Sequence, residues 1–510
     1  MWTERKPTSR AGDLQSPSVV GFASQGGDCK SPARAFGLAK PSVVDPSSFA
    51  RPSRREFLRR ASGGFGALAF AGLCHETQAA HTDPLAPRPG HFPAKADRVI
   101  FLYSTGGVSQ VDTFDYKPQL TRDHGKAVTA SRWLNKPGKF DRFLIKSRWG
   151  FKQYGQSGIW VSDLFPHIGG VIDDLCVLNA MHCDSDGHDK ATLAAHVGTD
   201  QAIRPSAGAW VSYGLGTENR NLPSFMVLAP AAPYAGAQTW GSDFLPACHQ
   251  GTHVIPGKEP LPNLKPNTPA AELQAMELGL LGKLNRAHLE QRAADEALDA
   301  RIRSFETAFG MQREAPDAFD LSRETDATLK LYGLARGANT GFGWQCLVAR
   351  RLAERGVRFL ELIDVGSSGN WDSHGNMADH ERLAKAIDQP IAALIADLKQ
   401  RGMLERTLLV WTSEFGRTPF HQQANHLGRE HHNLVFSSWM AGGGVKGGLA
   451  YGKSDEHGIL PAEGAVHTHD LHATMLHLLG LDHERLTYRY AGRDFRLTDV
   501  AGEVVHPIIA

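Results

Sequence analysis

Residues 342–363 read FGWQCLVARRLAERGVRFLELI, and the order of patterns in that stretch decides the fold. In Phe342–Arg355 the apolar positions Trp344, Leu347, Val348 and Leu352 recur at helical spacing, and Gly356 stops the helix. Val357–Ile363 then turns into a continuous apolar run, as a strand buried on both faces of a parallel sheet requires. The same alternation extends outward in both directions. Buried-strand runs occur at Arg98–Tyr103 (RVIFLY), Leu175–Asn179 (LCVLN), Ser224–Leu228 (SFMVL), Thr407–Thr412 (TLLVWT) and Leu434–Met440 (LVFSSWM). Helical patterns at Leu383–Arg401 and Asp470–Leu479 stop at Gly402 and Gly480. Strand and helix in alternation predict an α/β fold: a doubly wound, mostly parallel sheet with helices over both faces.

Between residues 260 and 340 the character changes. Glu272–Phe309 is dense in Ala, Leu, Glu and Arg and contains no strand-like run. It reads as a helical insertion or lid over the sheet, or as a coiled-coil arm for self-association.

The N-terminal eighty residues stand apart. Residues 1–52 are rich in Ser, Pro, Gly and Arg without apolar periodicity, which reads as a disordered or wrongly assigned extension. Residues 53–60 are SRREFLRR, followed at once by the short apolar stretch Ala61–Leu73. Paired arginines before a weakly hydrophobic run form the layout of a twin-arginine export signal over 53–80. The other reading is a basic patch beside a core helix. An export signal makes the twin-arginine translocase a transient partner and the location periplasmic or extracellular. The domain proper is then expected over residues 95–510.

Lysine plus arginine number 55 against 54 acidic residues, a net charge of +1. Near neutrality removes any bulk electrostatic case for nucleic acid or an anionic membrane. No run after the signal approaches the length of a membrane span. Of six cysteines, Cys176, Cys183, Cys248 and Cys346 fall in the domain with no CxxC spacing, and they read as buried free thiols.

In an open α/β sheet, ligands bind beyond the carboxyl ends of the strands. The segments beside the predicted strands there are crowded with carboxylates and imidazoles. They include Asp112, the DSDGH run with Ser185 and His188, WDSHGN with Asp372 and His374, SEFGR with Glu414 and Arg417, and REHHN with His431 and His432. Asp372 and His374 lie two apart, so an extended segment projects both to one side. A mixed nitrogen and oxygen set suits zinc first, with manganese, magnesium or calcium as harder alternatives. Each motif alone has a plainer reading. Asp-x-His also fits a surface turn, Glu414 an ion pair with Arg417, the His pair a structural histidine with an exposed neighbour, and Ser185 or Asp186 a helix N-cap.

Longer pieces carry a resemblance: GGVSQVDTFDYKP (106–118), GSDFLPACHQGT (241–252), QCLVARRLAERGVRF (345–359), WDSHGN (371–376), SEFGRTP (413–419), REHHN (429–433) and the tract 469–502. The chain from about residue 98 resembles the domain-of-unknown-function 1501 (DUF1501) family, grouped with the alkaline-phosphatase-like superfamily that includes sulfatases. The resemblance implies an alkaline-phosphatase-like fold and metal-dependent hydrolysis of a phosphate or sulfate ester, with a small anionic ester or a sulfated or phosphorylated carbohydrate as substrate. It places Asp372, His374, Glu414 and His431 or His432 at metal. It makes Ser185 the nucleophile beside His188, and Arg417 an anion clamp. The superfamily's first strand ends in a metal-binding Asp; here Gly106-Gly107 holds that place, with Asp112 or Asp115 to compensate. Phe415 stands where a histidine is usual. No Cys-x-Pro-x-Arg or Ser-x-Pro-x-Arg signature is present, which argues against a formylglycine sulfatase. A non-catalytic extracellular binding or envelope protein on the same scaffold is the competing expectation.

Overall fold

The computed structural model describes residues 83–133, 136–201, 203–265, 271–292, 295–364 and 370–510. The expected extension and twin-arginine signal lie outside the described residues. The described residues belong to one compact unit.

Nine strands build the central sheet, numbered here in chain order: β1 (Arg98–Ser104), β2 (Leu175–His182), β3 (Phe225–Leu228), β4 (Thr252–Val254), β5 (Phe359–Asp364), β6 (Thr407–Thr412), β7 (Phe436–Ala441), β8 (Leu449–Tyr451) and β9 (Val466–His467). Their spatial order is β8-β2-β7-β6-β1-β5-β3-β4, and β9 also pairs with β2. The block β6-β1-β5-β3-β4 is parallel throughout. Strand β7 runs antiparallel to both β6 and β2. The sheet is therefore mostly parallel, as expected, with one antiparallel strand at 436–441. Apolar composition reports burial and carries no information on strand direction.

Alternate residues of each strand enter two different cores. On β1, Ile100 and Leu102 join one cluster, while Val99, Phe101 and Tyr103 join the other. Helices α5 (Phe342–Glu354) and α6 (Asp379–Gln400) bury Trp344, Leu347, Ile387 and Leu394 against the first face. Helices α1 (His188–Val197), α2 (Ala207–Leu215) and α7 (Thr468–Leu478) cover the second with Ala191, Trp210, Leu471 and Leu476. This is the doubly wound α/β arrangement.

Helix boundaries show what apolar periodicity leaves out. Helix α6 begins four residues before Leu383, because Asp379 and Glu381 favour its positive end and buried His380 packs edge-on to Trp371 at 4.8 Å. Helix α7 starts at Thr468 through a capping box: His467 Nδ1 accepts from the His469 N–H, and Asp470 accepts from the His467 N–H. Gly356 ends the α5 unit at φ +81°, a conformation that a side chain would strain.

The 260–340 region holds two long helices, α3 (Ala271–Glu290) and α4 (Glu296–Phe319). Gln274 Nε2 donates to Gln312 Oε1 at 3.0 Å, which sets the two helices antiparallel. Ala315 and Ala318 at the end of α4 reach the first core. No helix among the described residues is long and apolar enough to cross a membrane.

Candidate metal centre

Three parallel strands and one antiparallel strand deliver side chains to the same edge of the sheet. Helix α1 follows β2 and opens with His188. Asp372 and His374 lie in the segment between β5 and α6, and Glu414 lies two residues past the end of β6. Because β7 is antiparallel, the residues before it, His431 included, also sit at the carboxyl ends of the parallel strands. A two-residue ladder opposes Arg417 to His431 and Gly416 to His432.

His188, Asp372, His374 and His431 converge, each offering a ligand atom within 4.8 Å of the others. Asp372 Oδ1 lies 2.9 Å from His374 Nε2, 3.3 Å from His188 Nε2 and 3.4 Å from His431 Nε2. His374 Nε2 and His431 Nε2 are 2.9 Å apart. All three rings thus point the same nitrogen at one carboxylate oxygen.

The other ring nitrogen is held in every case. His188 Nδ1 pairs with Glu414 Oε1 at 2.7 Å, His374 Nδ1 with Glu430 Oε2 at 2.9 Å, and His431 Nδ1 with the Asp186 carbonyl at 2.7 Å. An acceptor on Nδ1 fixes the N–H there and leaves the lone pair on Nε2, the arrangement that metal-binding histidines use. Two lone pairs facing each other beside a carboxylate oxygen repel unless a proton or cation lies among them. His188 Nε2 is buried and makes no hydrogen bond. The donor set therefore fits a divalent transition metal.

Electrostatics follow the same geometry. Burial opposes the charge on Asp372, yet His188, His374, His431 and the Arg417 guanidinium hold its carboxyl far below the usual range. The Asp372 contact, then Glu430, raises His374 to about 9. Burial opposes charge on His188, but Asp372 and Glu414 raise it overall. Glu414 is fully buried, and His188 keeps its carboxyl low despite that burial.

The structure sorts the sequence-derived residues into three groups. His188, expected beside the nucleophile, joins Asp372, His374 and His431 in the cluster. Glu414 stands one layer behind it: its carboxylate accepts from the Gly106 N–H at 2.7 Å, from Ser413 Oγ at 3.0 Å and from Tyr103 at 3.3 Å, as well as from His188. Asp112 and His432 lie elsewhere. Asp112 is buried against Arg429 at 2.7 Å, so its charge is already balanced, and it lines a separate cavity of 270 Å³. His432 Nε2 bonds the Ile459 carbonyl at 2.8 Å, and burial pushes that ring down to about 4. Asp115 likewise pairs with Lys117 at 2.9 Å.

Arg417 is corrected as an anion clamp. Its guanidinium is fully buried and donates to the Gly106, Gly107 and Arg429 carbonyls, with Nη2 also 2.6 Å from Asp372 Oδ1. With donors on all three nitrogens engaged, it braces Asp372 instead of meeting a ligand. Ser185 is buried in the loop that supplies the Asp186 carbonyl. Its Oγ accepts the Gly187 N–H at 3.2 Å, and Gly187, not Ser185 or Asp186, caps helix α1. Phe415 is buried with its ring 4.6 Å from His431 and 4.9 Å from His188, an apolar wall behind the cluster. The four domain cysteines are free thiols; Cys176, Cys183 and Cys346 are buried as expected, while Cys248 is half-buried.

Two residues were not singled out from sequence. Glu430 was visible only as part of the REHHN motif. Tyr234 lies in the Pro- and Ala-rich loop after β3, with its ring stacked on His188 at 4.2 Å. Its buried hydroxyl makes no hydrogen bond, and burial, reinforced by Asp372 and Glu414, pushes it up to about 12. No periodicity or spacing marks such a residue; only the tertiary contact does.

A family model described as Protein of unknown function (DUF1501) matches residues 96–509. Comparison with curated proteins finds no match. Among solved structures, the lipoteichoic acid synthase LtaP from Listeria monocytogenes aligns at 8% identity over 81% of this chain and 79% of its own, with a TM-score of 0.33. PsFucS1 sulfatase from Pseudoalteromonas sp. aligns at 12% identity over 76% and 68%, also at 0.33. The alkaline phosphatase of the Antarctic bacterium TAB5 aligns at 11% identity over 76% and 99%, at 0.31. Superpositions at this level assign no chemistry to this chain.

Proposed function

The chain belongs to the DUF1501 family, and we propose that it is an exported, metal-dependent hydrolase of phosphate or sulfate esters. The observation that carries the reading is the convergence of three imidazole Nε2 atoms on Asp372 Oδ1, each ring braced at Nδ1. His188, Asp372, His374 and His431 would hold the ion, with zinc the first choice for a set of three imidazoles and one carboxylate. Bound there, a divalent ion supplies Lewis-acid polarisation of an ester oxygen. The residues around it do the positioning. Glu414, Glu430 and the Asp186 carbonyl fix the tautomers, Arg417 holds Asp372 in place, and Phe415 keeps water from the back of the site.

Ser185 is the hydroxyl we assign as nucleophile, in the loop whose next residue touches His431. Access is from the side of His374, the most exposed of the four. Small anionic esters and sulfated or phosphorylated carbohydrates are the substrate classes to try. The paired arginines of 53–60 support export through the twin-arginine route to the periplasm or beyond.

A second reading has one observation in its favour. Four protein ligands fill a tetrahedral shell, as structural sites do, and the fully buried Arg417 already donates from each of its three nitrogens. A closed site would suit an extracellular binding protein on the same scaffold. Elemental analysis of the purified protein, with turnover of nitrophenyl phosphate and nitrophenyl sulfate, separates the two. Stoichiometric metal with turnover supports the hydrolase; metal without turnover supports the closed site; no metal refutes both.

A further inference from the structure

The helical hairpin α3–α4 carries the densest group of exposed large hydrophobic side chains among the described residues. Thirteen large hydrophobic side chains are exposed among the described residues, and six of them lie on this hairpin: Leu273, Met276, Leu280, Leu281, Leu284 and Phe305. Their exposure runs from 48% to 72%. Scattered single hydrophobes are normal on a surface, but a concentration of this kind marks an interface.

Their placement is ordered. At about 100° per residue, Leu273, Met276, Leu280 and Leu284 fall within roughly 80° of arc on α3. The half-buried positions Gln274, Leu278 and Leu289 face the opposite side, where Gln274 meets Gln312 of α4. The exposed stripe therefore points away from the side on which α3 meets α4. The Gln274–Gln312 bond also sets the hairpin register, so Phe305 lies level with Leu281 and widens the stripe along the seam.

We propose that this face is a self-association surface, on which two copies of the chain pair antiparallel through α3. The charges select both occupant and direction. Glu272 and Lys283 lie on the same flank of the stripe, about 20° apart in projection. Antiparallel pairing about a dyad near residue 278 sets Leu273 against the second copy's Leu284, and Met276 against its Leu280. The same dyad brings Glu272 to the level of the second copy's Lys283, twice over. Parallel pairing instead brings Glu272 against the second copy's Glu277, which is repulsive. A lipid surface fits poorly, because α3 carries Glu272, Glu277 and Glu290 against Lys283 and Arg286, where an anionic bilayer selects a basic polar face.

The stripe covers about 17 Å of helix, at the small end of specific interfaces, so a weak, reversible dimer is expected. Glu277 lies near its own copy at the dyad and weakens the pair.

Sedimentation equilibrium of the full chain between about 1 and 200 µM tests the proposal, with far-UV circular dichroism confirming that each variant folds. The unmodified chain should follow a monomer–dimer equilibrium, and Met276→Glu with Leu280→Glu should abolish it. Glu272→Lys alone should weaken the dimer about tenfold, Glu272→Lys with Lys283→Glu should restore it to within about threefold, and Glu277→Gln should tighten it. A chain that stays monomeric throughout, or a dimer indifferent to Met276 and Leu280, overturns the proposal. Failure of the double charge swap overturns the antiparallel arrangement. Flotation with phosphatidylglycerol vesicles that depends on Leu280 reassigns the face to lipid and overturns the dimer.

Discussion

Metal uptake should release protons, because the metal-free cluster already stores one. His374 is raised to about 9 by Asp372 and Glu430, so near pH 7 its ring carries both protons. A histidine binds a metal only through a free lone pair, so the ion must displace one of them. Two pH units between 7 and 9 correspond to about a hundredfold in apparent affinity. Solvent screening at a ring 41% exposed brings the figure down, to between about 30- and 100-fold. Burial opposes charge on His188, but Asp372 and Glu414 raise it overall, the same direction as His374. Zinc affinity measured against a competing chelator should therefore climb from pH 7 and level off near pH 9. Calorimetry at pH 7 in buffers of different ionisation enthalpy should return about one proton per ion, the one held on His374. Glu430→Gln removes one of the two carboxylates holding His374 charged, so the levelling-off should move to lower pH. Metal-free stability runs the other way: a raised folded value contributes below about pH 6.5 and is lost as pH rises through 9. An affinity independent of pH, with no buffer-dependent heat, would refute the raised His374 value and the reasoning from its two carboxylate contacts.

Three further outcomes follow from named contacts. Asp372→Ala should abolish stoichiometric metal by elemental analysis and lower stability by about 3 kcal/mol in chemical denaturation, since it leaves the buried Arg417 charge without its carboxylate. Glu414→Gln should keep the fold and lose about 10- to 100-fold in zinc affinity, the usual cost of removing a partner behind a metal-binding imidazole. Asp364 is buried, and burial raises its carboxyl from 3.8 to about 6 against the donors Trp371 and Asn370. Its folded value exceeds the unfolded one, so its contribution is present below about pH 4 and lost as pH rises through 6. Asp364→Asn should then stabilise the protein by about 2 kcal/mol at pH 8 and little at pH 4.5, measured by urea unfolding.

The sheet was legible because parallel strands buried on both faces leave continuous apolar runs, as Thr407–Thr412 does. Short edge strands such as Thr252–Val254 and Leu449–Tyr451 leave no such trace. The direction of Phe436–Ala441 was equally invisible, yet it decides which end of the sheet receives His431. Within the centre, Asp372 and His374 could be read from their spacing and His431 from its motif. The division of labour could not. Arg417 beside a strand end has the composition of a ligand clamp, and only the fold wraps it in the carbonyls of Gly106 and Gly107. His188 changes from a neighbour of the nucleophile into a cluster member because helix α1 points its first residue back across the sheet edge. Glu430 and Tyr234 act through contacts made at long sequence distance, which no local pattern encodes.

The glycine pair at 106–107 has a steric consequence for the cluster. Gly106 holds φ +111°, and a Cβ there would sit 2.6 Å from the Asp372 nitrogen; at Gly107, φ +81°, it would sit 2.7 Å from the Phe415 ring. Close backbone contact with the Trp371–Asp372 segment therefore fills the space beside Gly106, and the Phe415 ring fills the space beside Gly107. A side chain at Gly106 would press directly on the backbone that carries Asp372, and one at Gly107 on the apolar wall behind His188 and His431. Two residues that offer the cluster no ligand thus set where its ligands stand.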